Sequence, residues 1–188
     1  MALLGLALSL AAFGQDERGT AGIRFGYNAP LGTNGDLLKS SGGYSLAVHG
    51  EWHPVPLFGL GLQARTGSLY TFSGSNYQYL VATNLLVSEV GARFILGRTT
   101  GPWAALDVGV AFPASRQVLN GVMESSWGAA SIPSFCTAVE VGWRLPIFHP
   151  WTVDFELRGA FLVPADPSEF PQTPVFWIQP AIGFGYRF

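Results

Sequence analysis

The chain has 188 residues, enough for one domain with a sizeable core and too few for two comfortable ones. Charged residues make up 12%, about half the share of an ordinary soluble domain, apolar residues 48%, and the formal net charge is −2. Lys39 is the single lysine, so this is no nucleic-acid binder, which carries clustered Lys and Arg and a high pI. Cys136 has no partner for a disulfide scaffold, and one Cys with three scattered His makes no zinc cluster.

Residues 2–14, ALLGLALSLAAFG, form the longest continuous apolar run. A bilayer-spanning helix takes about 20 residues, so the run is too short to cross. It has the length of the apolar stretch of a secretory signal peptide, with small residues Ala12 and Gly14 at the cleavage positions and polar QDER next, but no positively charged segment before it. The expected division is a signal peptide over 1–14 and a single domain over 15–188.

From residue 20 the sequence alternates with period two, in segments separated by Gly, Pro, Asn and Ser. The first strand is expected at 20–29, with Ile23, Phe25 and Tyr27 on one face and Gly22, Arg24 and Gly26 on the other. The second, 44–53, sets Tyr44, Leu46, Val48 and Trp52 against Ser45, Ala47, His49, Glu51 and His53. The third, 58–71, sets Phe58, Leu60, Leu62 and Tyr70 against Gly61, Gln63, Arg65 and Gly67. The fourth, 78–96, alternates weakly in YLVATNLLV and then places Val90, Ala92, Phe94 and Leu96 against Glu89, Gly91 and Arg93. The fifth, 103–112, opposes Leu106, Val108, Val110 and Phe112 to Ala105, Asp107 and Gly109.

The sixth, 134–145, opposes Phe135, Val139, Val141 and Trp143 to Cys136, Ala138, Glu140 and Arg144. The seventh, 151–163, opposes Trp151, Phe155, Leu157 and Phe161 to Asp154, Glu156, Arg158 and Ala160. The eighth, 175–188, opposes Ile182, Phe184, Tyr186 and Phe188 to Gln179, Gly183 and Arg187. Connections after the second, fourth and sixth strands are short; those at 30–43, 113–133 and 164–174 are longer. Eight strands with short turns at one end and long loops at the other predict an all-β, antiparallel up-and-down barrel, closed so that no edge is left.

Which face is wet follows from the composition of the two faces. The polar face carries Arg24, Arg65, Arg93, Arg144, Arg158 and Arg187 with Glu51, Glu89, Asp107, Glu140, Asp154 and Glu156. Six of each sign, all cations being Arg, suits a closed interior where charges must pair. Gly, Ala and Ser dominate the rest of that face and leave room in a lumen just wide enough for side chains. On the apolar face, Trp52, Trp143 and Trp151 gather at the short-turn end and Tyr27, Tyr44 and Tyr70 at the other, as two membrane-interface girdles do. The expectation is therefore a transmembrane barrel with an apolar outside and an ion-paired inside.

The ending IGFGYRF, with Ile182, Phe184, Tyr186 and Phe188 alternating to an aromatic, looks like the assembly signal of bacterial outer-membrane β-barrel proteins. Residues 20–188 resemble the small eight-stranded barrels of the OmpA, OmpX and OmpW type. The resemblance implies outer-membrane lipid as solvent, insertion by the barrel-assembly machinery, and termini and short turns in the periplasm. It also raises a lateral path for small apolar ligands, as is suggested for OmpW-type barrels. The long loop 113–133, with Val118, Leu119, Val122, Met123 and Trp127, is apolar enough to cover the mouth or form such an opening.

Chemistry is sparse. Ser45 and His49 share a face, but four residues of strand separate them by roughly 13 Å. The His-x-Ser-Asn pattern of lipid A deacylase barrels is absent, and no cofactor, nucleotide or metal motif appears. His53 and His149 stand before Pro at two short turns, too far apart for a metal pair. Cys136 faces inward and reads as inert. The expected role is non-enzymatic: a structural or surface-interaction barrel with a plugged interior, the alternative being a narrow channel or binder for small apolar molecules. For the plug, constant position sums across the hairpins set Arg93 opposite Asp107, Arg144 opposite Asp154 and Glu140 opposite Arg158. Each pair is expected at salt-bridge distance in the short-turn half.

Overall fold

The structure, a computed structural model, describes residues 18–31, 42–73, 81–119, 122–123, 128–129, 132–165 and 174–188. The leader expected over 1–14 and residues 78–80 lie outside the described residues. Eight long strands form the wall: β1 Gly19–Leu31, β2 Gly43–Val55, β3 Phe58–Ser73, β4 Val81–Gly97, β5 Gly101–Leu119, β6 Ser134–Phe148, β7 Trp151–Val163 and β8 Val175–Arg187. Each pairs antiparallel with its sequence neighbour, and β8 pairs with β1, so the sheet closes.

The stagger of the closure can be read from the register. Paired residues lead from Thr20 through Glu51, Gly61, Arg93, Asp107, Ala138, Ala160 and Trp177 back to Pro30. One circuit therefore climbs ten residues of β1, from 20 to 30. Such a stagger goes with strands tilted about 35–45° to the axis. It is why residues far apart in sequence meet at one height inside.

Alternation makes each strand two-faced. In β2, Tyr44, Leu46, Val48 and Trp52 are exposed while Ser45, Ala47, His49, Glu51 and His53 are buried. The same inversion runs around the wall: Phe25, Leu62, Phe94, Val110, Val139, Leu157 and Phe184 face out, and the charges face in. An all-round apolar exterior over a polar interior matches hydrocarbon as the outer solvent, and the fold is a transmembrane β-barrel. The five interface aromatics Trp52, Trp143, Trp151, Tyr27 and Tyr44 all face outward. The Tyr27 and Tyr44 rings meet edge-on at 5.8 Å, and those of Trp151 and Tyr186 at 5.3 Å. The Tyr70 side chain lies outside the described residues.

The fifth strand corrects the sequence expectation. It does not end at 112 but runs on to Leu119, pairing with β4 from Val87 to Val81. Pro113 reads as a strand breaker, yet β6 pairing stops at Ala111, so here the proline interrupts at most one ladder. Part of the expected loop folds back on this extension, Val122–Met123 against Val118–Leu119 and Gly128–Ala129 against Ala114–Ser115. At the other end, the β4–β5 turn is bracketed by Gly97 and Gly101 with φ of +143° and +91°, a conformation L side chains rarely adopt.

Candidate functional site: the lumen

The lumen has two tiers, where the sequence suggested one. The tier toward the short turns is the charged network. Above it, toward the long-loop end, Leu69, Leu85, Val87, Leu162 and Trp177 pack with small residues into an apolar cluster. Among the small residues of the uncharged lumen stand the amides Gln63 and Gln179, on the inner face that the alternation gives them, and two indoles, Trp103 and Trp177, all four buried. The weak alternation of YLVATNLLV has its cause in this tier, since Leu85 and Val87 face a lumen that is itself apolar.

Arg24, Arg65, Arg93, Arg144 and Arg158 are buried with all six expected carboxylates. Arg187, placed inward by parity, is only half-buried at the short-turn rim, where β8 ends opposite Thr20. The three expected register pairs stand directly opposite each other on their ladders. Two are ion pairs: Arg144 Nε lies 2.8 Å from Asp154 Oδ1, and Arg158 Nε 3.1 Å from Glu140 Oε1. The third differs. Arg93 reaches past Asp107 to Glu140 at 2.5 Å and to Glu51 at 3.3 Å. Asp107 instead accepts the amide of Gln63, whose carbonyl in turn accepts Arg93 Nη1 at 3.1 Å. A long Arg on a tilted strand spans the narrow lumen, so wall register alone does not choose its partner.

The ion pairs lace opposite walls. Glu51 on β2 takes Arg24, Arg93 and Arg144 within 3.3 Å. Arg65 on β3 reaches Glu156 on β7 at 2.9 Å and Glu140 on β6 at 3.3 Å. Trp103 sits among the cations, its ring centroid 5.2, 4.9 and 6.0 Å from the guanidinium carbons of Arg24, Arg93 and Arg144. Each cation over the indole face gains an attraction that strengthens where water is excluded. Parity counted back from Asp107 already puts Trp103 on the inner face; a rule of small lumen residues passes over it. The network is not confined to the short-turn half: Glu89, held by Arg158 at 2.8 Å, stands at the border with the apolar tier and accepts the Cys136 thiol at 2.9 Å.

The remaining candidate chemistry is drawn into this packing. The Ser45 hydroxyl accepts the Gln179 amide, and His49 Nε2 lies 3.3 Å from Arg24 Nη2. His53 is buried in the lumen while His149 lies exposed in the β6–β7 turn, so the two are not equivalent positions. No group of three metal-binding side chains occurs among the described residues.

One wall seam is incomplete. Between β1 and β8 the ladder lapses from Gly26–Ala181 to Ala29–Ile178, missing Tyr27, Asn28, Gln179 and Pro180. Pro180 has no N–H to give β1, although its pairing with Leu157 on β7 persists. Inside the lapse is a small cavity lined by Asn28, Ser45, Arg65, Leu69, Val87 and Trp177, spanning the border of the two tiers.

No protein-family model matches the chain, and no curated protein matches it. Solved structures do share its architecture. Outer membrane protein OprG of Pseudomonas aeruginosa aligns with a TM-score of 0.54 at 13% identity, covering 93% of this chain and 97% of that one. Neisserial surface protein A aligns at 0.52 and 11%, covering 90% and 97%. Ail, the attachment invasion locus protein of Yersinia pestis, aligns at 0.52 and 12%, covering 91% and 99%. At these identities the likeness is one of fold: this chain has the fold of the small outer-membrane β-barrels.

Proposed function

We propose that the protein is a non-enzymatic barrel of a bacterial outer membrane, structural or surface-interacting, whose interior is a plug and not a passage. The observation that carries this reading is the lumen, where five buried guanidiniums and six buried carboxylates bridge facing walls beneath an apolar cap. Charges so interlocked hold one another in place, because freeing either partner leaves a buried ion uncompensated. Lipid is the partner of the outer belt. On the same proposal the barrel-assembly machinery is the partner during insertion, acting on the Ile182, Phe184, Tyr186 and Phe188 face of β8, and the short-turn end of the barrel is on the periplasmic side. The test is conductance of the refolded protein in planar bilayers. Silence is expected, and a steady open level in the unmodified protein overturns the plug.

A second reading, a binder of small apolar molecules, is favoured by the lapse at Pro180 beside the apolar tier. A small molecule entering there would travel between lipid and the upper lumen without crossing the charged tier. Binding of a brominated alkane, whose heavy atoms quench tryptophan fluorescence, distinguishes it. Saturable quenching lost in Trp177→Phe supports this reading, and linear, non-saturable quenching removes it.

A further inference from the structure

The three short turns differ in chemistry. The β4–β5 turn, Arg98–Thr100, is polar. The β2–β3 turn, Pro54–Val55–Pro56–Leu57, and, apart from the exposed His149, the β6–β7 turn, Pro146–Ile147–Phe148–His149–Pro150, are apolar, and their large side chains are turned outward: Val55 is 52% exposed, Leu57 58%, Ile147 53% and Phe148 63%. Both lie past the aromatic girdle residues Trp52, Trp143 and Trp151, where a chain in water normally carries polar turn residues.

Their backbones are also prepared for a dry setting. Each turn holds two prolines, which removes donors that lipid could not satisfy. One carbonyl of each turn is capped by a neighbouring strand: Leu57 O accepts the Gly97 N–H at 3.0 Å, and Pro150 O accepts the Arg187 N–H at 2.9 Å. An unsatisfied backbone group is far more costly in hydrocarbon than in water, so fewer free donors and a capped carbonyl suit a setting where water is scarce.

We infer that the β2–β3 and β6–β7 turns are immersed in the lipid leaflet on the short-turn side, while the β4–β5 turn stands in water. This rests on the membrane reading of the belt. Lipid is the occupant because each turn continues an outer face that lipid already covers, Trp52 leading to Val55 and Leu57, and Trp143 through Leu145 to Ile147. The two turns are carried by opposite walls of the barrel, since two strands, β4 and β5, separate the hairpins on one side and two, β8 and β1, on the other. The lipid boundary therefore dips at two opposed points and rises between them at the β4–β5 turn.

The experiment places an environment-sensitive label at single cysteines in a Cys136→Ala background, refolded into phosphatidylcholine vesicles with iodide on both sides. Labels go at Leu57→Cys, Phe148→Cys and Thr100→Cys, with Leu157→Cys as the mid-belt control, and heat-shifted gel mobility verifies folding. The expected result is that labels at 57 and 148 are quenched by iodide several-fold less than the label at 100, and are quenched by lipids carrying a nitroxide near the headgroup. Iodide access at 57 and 148 equal to that at 100, with the 157 label shielded, overturns the immersion and leaves the membrane reading standing. Iodide access at 157 as well overturns both.

Discussion

Arg144 and Asp154 face each other across the β6–β7 ladder at 2.8 Å, and the same guanidinium reaches Glu51 on β2 at 2.9 Å. One side chain thus ties a hairpin to the opposite wall. The arrangement turns a sheet-register relation into a transverse brace, and its energetics differ from those of a surface ion pair because all three groups are buried.

Removing one end of the brace is expected to be costly. Asp154→Ala leaves Arg144 with the Glu51 carboxylate and the Thr20 hydroxyl, takes a carboxylate from Arg24 as well, and should destabilise by about 3–5 kcal/mol, the loss typical of breaking a buried pair. Urea unfolding of protein refolded into lipid vesicles measures it. The double replacement Arg144→Met with Asp154→Leu should recover most of that loss, because no unpaired charge remains at that ladder position. A double variant as unstable as Asp154→Ala shows that Glu51 and the rest of the network depend on Arg144 in particular.

The outer belt should reject charge by depth. Val139→Arg or Leu157→Arg, on neighbouring strands of the lipid face, should each cost about 2–4 kcal/mol near the bilayer midplane. Replacing inward Ala138 or Ala160 tests the other face: both are buried against the lumen, and Leu at either should overpack it by about 1–3 kcal/mol. Equal tolerance of Arg at Val139 and in the β4–β5 turn would refute the lipid assignment.

Trp103 is expected to be the pivot of the charged tier. Trp103→Ala removes the indole among Arg24, Arg93 and Arg144 and should cost about 3–5 kcal/mol through cavity formation and lost cation–π contact. Trp103→Phe keeps an aromatic face and should cost less. The same unfolding measurement ranks the two, and an opening of conductance in Trp103→Ala alone indicates that the indole fills the lumen.

Pro180→Ala supplies the N–H missing at the β1–β8 seam. One restored ladder bond should stabilise the barrel by about 0.5–1.5 kcal/mol and slow hydrogen exchange at Tyr27 and Asn28. If the seam admits small apolar molecules, entry of the probe slows in this variant while equilibrium binding is retained. Unchanged exchange at the seam means that something other than the missing donor holds it open.

Much of this protein is set by local arithmetic. A period-two pattern dictates strands, the sign of its two faces dictates lipid outside and ions inside, and hairpin spacing dictates that Arg144 meets Asp154 and Glu140 meets Arg158, because a one-residue slip would reverse a face. Turn length also marks the three hairpin ends. Tertiary structure decided what these rules do not reach. The partner of Arg93 depends on the diameter and stagger of the closed barrel, which bring Glu140 and Glu51 nearer to its tip than the residue it pairs with. Parity from Arg65 and Glu89 turns Leu69, Leu85 and Val87 inward, but that they meet Leu162 and Trp177 across the lumen is illegible strand by strand. Only when the cylinder closes do those side chains find one another at one height, and with them the border between a charged tier and an apolar one.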